Sequence, residues 1–162
     1  MSSVSSLHLA LLMSCIMSPA LTAQAPTSQR ADPYRLVIGT WELNVAKSTN
    51  LLRSLTRTYE RSGSNVKYTD HFVDTDGREG VAQWTGRYDG KDYPFTGSES
   101  FDTQAIKASD EYRATFTNKK AGKVIGGGTR VISPDGKVMT VSGKFTTPEG
   151  EEVSWVAVFE RR

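Results

Sequence analysis

From residue 36 onward, apolar and polar positions alternate with a period of two, and Val, Thr, Tyr and Trp are frequent. This pattern is typical of strands with one buried face. Turn signals interrupt it about every eight to twelve residues, as in sandwiches and barrels, and no long helical period occurs. The pattern predicts a small antiparallel β-barrel with ten candidate strands, at about 36–44, 55–61, 66–73, 79–88, 92–96, 102–107, 111–117, 123–132, 137–146 and 152–161.

Gly-centred turns between these strands predict hairpins, and the length of each turn sets which residues face each other. An even-length turn at Gly63-Ser64 would place Arg57 opposite Asp70. The same register sets Tyr59 against Tyr68 and Leu55 against Phe72. A three-residue turn at 75–77 would bring Trp84 beside Tyr68, whereas a two-residue turn would reverse the face of Trp84.

Two later turns, Pro134-Asp135-Gly136 and Pro148-Glu149-Gly150, each predict a three-residue loop with Gly in the left-handed conformation. The second loop sets Phe145, Gly143, Val141 and Met139 against Val153, Trp155, Ala157 and Phe159. The first sets Val131, Thr129, Gly127 and Ile125 against Met139, Val141, Gly143 and Phe145. Gly127 and Gly143 would then leave a slot for the Trp155 indole, and Arg130 would point outward.

The Arg57–Asp70 pair is the candidate polar feature of the interior. Arg57 with its two tyrosine neighbours could hold a ligand carboxylate in a bidentate manner. Alternatively, Arg57 and Asp70 satisfy each other, because buried charges are usually compensated locally. The residues predicted to contact a ligand are Arg57, Tyr59, Tyr68, Asp70, Phe72, Phe116, Met139, Trp155 and Phe159.

A family resemblance rests on short motifs that span about residues 36–162. Gly39-Thr40-Trp41 resembles the Gly-x-Trp motif that opens the first strand in lipocalins and related calycins. The ending at 156–161 is similar to the closing strand of fatty-acid-binding proteins, and 88–94 resembles a stretch found in uncharacterised exported bacterial lipocalin-like proteins. The resemblance implies a single up-and-down antiparallel barrel of eight to ten strands around a small apolar molecule, with Trp41 packed against Arg161 at the closed end. Only about ten residues, 45–54, join the first two strands, too few for a helical lid of the fatty-acid-binding kind.

The first 29 residues differ in composition from the rest, since they contain no Lys, Arg, Asp or Glu. An apolar stretch at 7–16 followed by small residues, among them Ala23 and Ala25, predicts a signal peptide over 1–25, a flexible leader over 26–35 and a barrel domain over 36–162. Cys15 leaves open a lipoprotein alternative. Without its leader the domain has no cysteine, which fits a bacterial periplasm, and secretion is the related possibility.

Charge and residue content exclude several functions. The 20 basic and 18 acidic residues are interspersed, so no face predicts nucleic acid as a partner. Ser and Pro residues interrupt the apolar stretch near the N terminus, so no transmembrane segment is predicted. His71 is the one histidine after the leader, which offers little support for catalysis, zinc or any other cofactor.

Three classes of function remain. We expect a non-enzymatic barrel that binds a small hydrophobic or amphipathic ligand and acts as a monomer. The alternative is a filled barrel that works through protein contacts, in envelope maintenance or enzyme inhibition. The third is an isomerase or hydrolase that uses Arg57 and Asp70. A cavity would separate the first two classes.

Overall fold

The computed structural model describes residues 32–49, 52–147 and 149–162, and the predicted signal peptide lies outside them. The ten strands are β1 (Gly39–Leu43), β2 (Leu52–Ser62), β3 (Asn65–Asp74), β4 (Glu79–Gly86), β5 (Asp89–Thr96), β6 (Thr103–Ala108), β7 (Arg113–Lys120), β8 (Lys123–Ile132), β9 (Val138–Thr146) and β10 (Glu152–Arg161). A one-turn 3₁₀-helix, Val45–Lys47, lies between β1 and β2.

Each strand pairs antiparallel with its neighbours in sequence, and β1 pairs with β10 to close the barrel. The predicted up-and-down barrel is therefore confirmed, with ten strands. Alternation is clearest in β3, where Val66, Tyr68 and Asp70 are buried while the residues between them are more accessible. Among the described residues, no helix is long and apolar enough to span a bilayer.

Three of the predicted registers are confirmed. Arg57 faces Asp70 across β2 and β3, and the neighbouring pairs follow. Trp84 faces Tyr68, as the three-residue turn required. Trp155 faces Gly143 across β9 and β10, where Thr147 N–H donates to the Glu151 carbonyl around a three-residue loop.

The predicted register between β8 and β9 is wrong by one residue. Ser133 N–H donates to the Val138 carbonyl, so the loop contains four residues, 134–137. Side chains stabilise this wider loop: the Ser133 hydroxyl donates to the Asp135 carboxylate at 2.5 Å and accepts from Val138 N–H at 2.9 Å. The Asp135 carboxylate also accepts from Lys137 N–H at 3.1 Å.

The extra loop residue reverses the two faces of β8, because a shift of one residue moves every side chain to the opposite side. Gly128 rather than Gly127 faces Gly143, and Arg130 faces Val141. Arg130 therefore points into the barrel, where it is only 5% exposed, while Val131 is 39% exposed. The prediction that Arg130 points outward is wrong.

One end of the barrel is closed by residues 32–38 and by a contact between the first and last strands. Trp41 is fully buried, and its indole N–H donates to the Val37 carbonyl at 2.8 Å. The Arg161 guanidinium carbon lies 4.2 Å from the Trp41 ring centroid. Arg161 also donates to the carbonyl oxygens of Leu36, Ile38 and Gly136. Burial lowers the pKa of Arg161, yet it leaves the guanidinium charged at neutral pH.

Gly39 makes room for this closure. Its φ is +127°, a conformation that favours glycine, and a Cβ there would lie 2.7 Å from Nη1 of Arg161. The backbone of β1 therefore approaches the guanidinium more closely than any other residue type would allow.

Candidate functional site

The interior of the barrel contains a cavity of about 900 Å³. Its wall reaches from one end of the barrel, at the 97–101 loop and at residues beside the β7–β8 and β9–β10 turns, down to Tyr59 and Arg130 near the closed end. The large interior side chains therefore do not fill the barrel. A cavity of this size lies in the upper part of the usual range for small-molecule sites.

Most of the residues predicted to contact a ligand line this cavity. They are Arg57, Tyr59, Tyr68, Asp70, Phe72, Phe116, Trp155 and Phe159. Met139 does not: it is fully buried in the core, opposite Ile132 and Phe159. His71 is exposed on the outer face of β3.

One wall is built by Phe116 and Trp155, which approach each other across two glycines. Their ring centroids are 6.1 Å apart, and Gly128 and Gly143 occupy the positions between them on β8 and β9. A Cβ at Gly128 would lie 2.9 Å from Cζ of Phe116 and would collide with the Ser142 carbonyl. The predicted slot for Trp155 exists, but Gly128 forms it in place of Gly127.

The opposite wall is an aromatic stack on β3 and β4. Tyr68 lies over Trp84 with a centroid distance of 5.7 Å and an interplanar angle of 24°. The fully buried Trp84 indole donates its N–H to the Gln104 carbonyl at 3.0 Å. These contacts fix the Tyr68 ring against the wall.

A short series of side-chain hydrogen bonds continues from Tyr68 across the wall. Its hydroxyl donates to Oε1 of Gln104 at 2.7 Å, and Nε2 of Gln104 donates to Oδ1 of Asn118 at 2.8 Å. Burial raises the pKa of Tyr68 well above its ordinary value, so the phenol stays neutral. This chain therefore places uncharged hydrogen-bonding groups beside apolar surface.

Arg57 and Asp70 form a nearly buried, bidentate ion pair. Nε of Arg57 donates to Oδ1 at 2.6 Å, and Nη2 donates to Oδ2 at 2.5 Å. The two side chains are only 16% and 8% exposed, and the Arg57 guanidinium carbon lies 4.6 Å from the Tyr68 ring centroid. Burial alone would lower the pKa of Arg57, but the attraction and hydrogen bonds to Asp70, together with the neighbouring tyrosines, raise that pKa overall. The geometry therefore matches the self-satisfied pair, the second of the two interpretations of Arg57.

Arg130 is the interior residue that sequence reasoning missed. Its Nη1 donates to the Tyr88 hydroxyl at 2.7 Å, and its guanidinium carbon lies 4.9 Å from the Tyr88 ring centroid. Within the described part of the chain, Nε and Nη2 are buried and have no hydrogen-bond partner. Burial raises the pKa of Tyr88, so this partner is a neutral phenol and does not compensate the charge. The sequence signal that could have revealed the inward position of Arg130 is the pair Ser133 and Asp135, because this pair stabilises the four-residue loop that sets the register of β8.

No protein-family model and no curated protein matches the chain. Among solved structures, the zebrafish ileal bile acid-binding protein complexed with cholic acid matches with a TM-score of 0.52 and 11% identity, covering 78% of this chain and 99% of that one. A redesigned β-barrel matches with a TM-score of 0.46 and 12% identity, covering 82% and 96%. The redesigned barrel mFAP1 bound to DFHBI gives 0.44 and 14%, covering 80% and 98%. The first of these similarities shows the fold: a ten-stranded barrel of the fatty-acid-binding-protein type, with function to be argued from the site.

Proposed function

We propose that this protein is an exported binding protein that holds one small hydrophobic or amphipathic molecule inside its barrel. The observation that carries the proposal is the cavity of about 900 Å³ with its largely apolar and aromatic wall. A few fixed polar groups in an apolar cavity are the usual composition of a small-molecule site. The cavity also counts against the alternative of a filled barrel.

The ion pair counts against the enzymatic hypothesis. Both carboxylate oxygens of Asp70 accept hydrogen bonds from Arg57, so this ion pair holds the carboxylate in place and leaves each oxygen one lone pair for any other donor. The binding function therefore agrees better with the geometry than isomerase or hydrolase chemistry.

Binding can be tested with Nile red, a neutral dye whose fluorescence rises in apolar surroundings. We expect saturable binding of one dye per chain. Ala157→Phe should weaken binding strongly, because residue 157 lines the cavity and a phenyl ring would occupy it. The matched control is Val131→Phe, since Val131 lies on the outer face and is 39% exposed. Equal effects of the two variants would show surface binding and refute the proposal.

Export rests on the composition of residues 1–25 and needs a separate test. The full chain is expressed in a bacterial host, and the mass of the protein in the periplasmic fraction is measured. We expect a mass that corresponds to cleavage between Ala20 and Ala25, unchanged by Cys15→Ser. An unprocessed cytoplasmic chain would refute export, and a lipid-modified chain that loses its lipid in Cys15→Ser would establish the lipoprotein alternative.

A further inference from the structure

Asn118 presents a free hydrogen-bond donor to the cavity. Its Oδ1 accepts from Nε2 of Gln104 at 2.8 Å, but its Nδ2 group donates no hydrogen bond within the described residues. Asn118 is only partly buried and lines the cavity, so Nδ2 is open to the space that a ligand would occupy. The unpaired nitrogen atoms of Arg130 differ from it, because protein encloses them.

The hydrogen bonds behind Asn118 determine which of its two amide groups faces the cavity. The Tyr68 phenol keeps its single proton, because burial raises its pKa, and donates that proton to Oε1 of Gln104 at 2.7 Å. The Gln104 amide then has Nε2 left to donate to Asn118, and this contact directs Oδ1 of Asn118 toward Gln104. The group that remains for the cavity is therefore an N–H donor and not a carbonyl oxygen.

The next strand leaves the free side of the Asn118 amide uncovered. Gly126 of β8 faces Asn118 and adds no side chain. A Cβ at Gly126 would lie 2.7 Å from the Lys144 carbonyl oxygen, so a larger residue does not fit there. Lys120 and Lys123 also line this part of the cavity, but an ammonium group donates and cannot accept. An acceptor for Nδ2 can therefore come from a molecule inside the cavity.

The position of Asn118 along β7 orients such a molecule. β7 ends at Lys120 beside the mouth, and Asn118 is the next inward residue below that end. The inward residues that follow are Phe116 and Ala114, and Ala114 lies about 13 Å from Asn118 along the strand, at about 3.3 Å per residue. An apolar body therefore fits below Asn118, with its polar group near the mouth.

We infer that Nδ2 of Asn118 binds a neutral oxygen acceptor, such as a ketone or ester carbonyl, near one end of an apolar ligand whose other end lies deepest in the cavity. This inference rests on the proposed binding function and narrows its ligand to uncharged molecules. A carbonyl suits the site because it accepts a hydrogen bond and has no proton of its own that would need a partner. Arg57 and Asp70 take no part, since each satisfies the other.

The first measurement uses 2-undecanone bound to the unmodified protein. Isotope-edited infrared spectroscopy gives the stretching frequency of its carbonyl, which falls when the oxygen accepts a hydrogen bond. We expect a frequency below that of the ketone in hexane, and a return to the hexane frequency in Asn118→Leu, which removes the donor. The matched control is Thr117→Val, because Thr117 is the preceding residue and faces outward, opposite Gly127. The frequency should stay low in this control.

Competition against Nile red gives the affinities of 2-undecanone and of undecane, the matching alkane without an oxygen. Asn118→Leu should weaken binding of the ketone about 3- to 10-fold, the effect of one hydrogen bond between neutral groups, and should not weaken binding of undecane. Thr117→Val should change neither affinity. The comparison with undecane is decisive because a general disturbance of the barrel would weaken binding of both compounds.

A hexane-like carbonyl frequency on the unmodified protein would overturn the inference, whether or not the variants fold. Failure of 2-undecanone to displace bound Nile red would do the same. A lowered frequency that persists in Asn118→Leu would assign the hydrogen bond to another donor and also overturn it. Tighter binding of 2-undecanol than of 2-undecanone, lost in Asn118→Leu, would refute the carbonyl. If 2-undecanone, undecane and Nile red all fail to bind, the binding function itself fails.

Discussion

Arg161 closes one end of the barrel, and its removal should destabilise the fold strongly. Three carbonyl oxygens accept from this one guanidinium, and its Cζ lies 4.2 Å from the Trp41 ring centroid. Hydrogen bonds to a charged group contribute about 1.5–3 kcal/mol each, and a cation–π contact about 0.5–2 kcal/mol. Since the side chain is partly exposed, water can replace some of these contacts in Arg161→Ala. We therefore expect a loss of about 3 kcal/mol in the free energy of unfolding.

The assay is urea unfolding followed by circular dichroism, with two companion variants. Arg161→Lys should recover only part of the loss, because one ammonium group cannot reproduce the planar fork that reaches three carbonyls. Arg162→Ala removes the neighbouring ion pair with Glu42, which is exposed to solvent, and should change the free energy of unfolding little. A loss for Arg161→Ala no larger than that for Arg162→Ala would refute the reasoning.

Three further predictions concern the packing at Gly128, the change in tryptophan emission on ligand binding and the turn that contains Asp135. Gly128→Ala should lower the free energy of unfolding by about 1–3 kcal/mol in urea titrations, because its Cβ collides with neighbouring backbone and crowds Phe116. Nile red or dodecanoic acid should change tryptophan emission through Trp155, so Trp155→Phe should remove the change; a persistent change would place the ligand elsewhere. Hydrogen bonding to Ser133 lowers the pKa of Asp135 below its ordinary value of 3.8, so its contribution to stability is present above that pH and is lost as the pH falls through the folded-state pKa. Asp135→Asn should therefore show a smaller decrease in urea midpoint between about pH 5 and pH 2 than the unmodified protein, and an equal decrease would contradict this assignment.

The fold was predictable because several local signals agree. The period of two places the strands, and Gly63 at φ +59° and Gly77 at φ +88° stand in the turns on either side of β3. Turn length and apolar pattern predict the same inward face there, so the registers of Arg57 and Trp84 were predictable. The contact between Arg57 and Asp70 could be predicted from the sequence. Whether the pair binds a ligand or only satisfies itself could not.

Arg130 was missed because the two faces of β8 have almost the same hydrophobic content. Beside polar Arg130, one face carries Gly126, Gly128 and Ile132; beside polar Thr129, the other carries Gly127 and Val131. Hydrophobic pattern therefore cannot choose between the two faces, and the choice falls to the length of the following turn. A Pro-Asp-Gly turn suits more than one loop length, and here hydrogen bonds from side chains in the turn select the longer one.

Because the two faces of β8 are so similar in hydrophobic content, the inward position of Arg130 is informative. Turning β8 by one residue would expose Ile132, now 1% exposed, and bury Val131, two side chains of similar hydrophobic contribution. That exchange would also release a guanidinium with two unsatisfied buried nitrogen atoms to solvent, where each would regain about 1–3 kcal/mol. The observed register thus lowers the stability of the fold at this position and places a cation at the cavity floor.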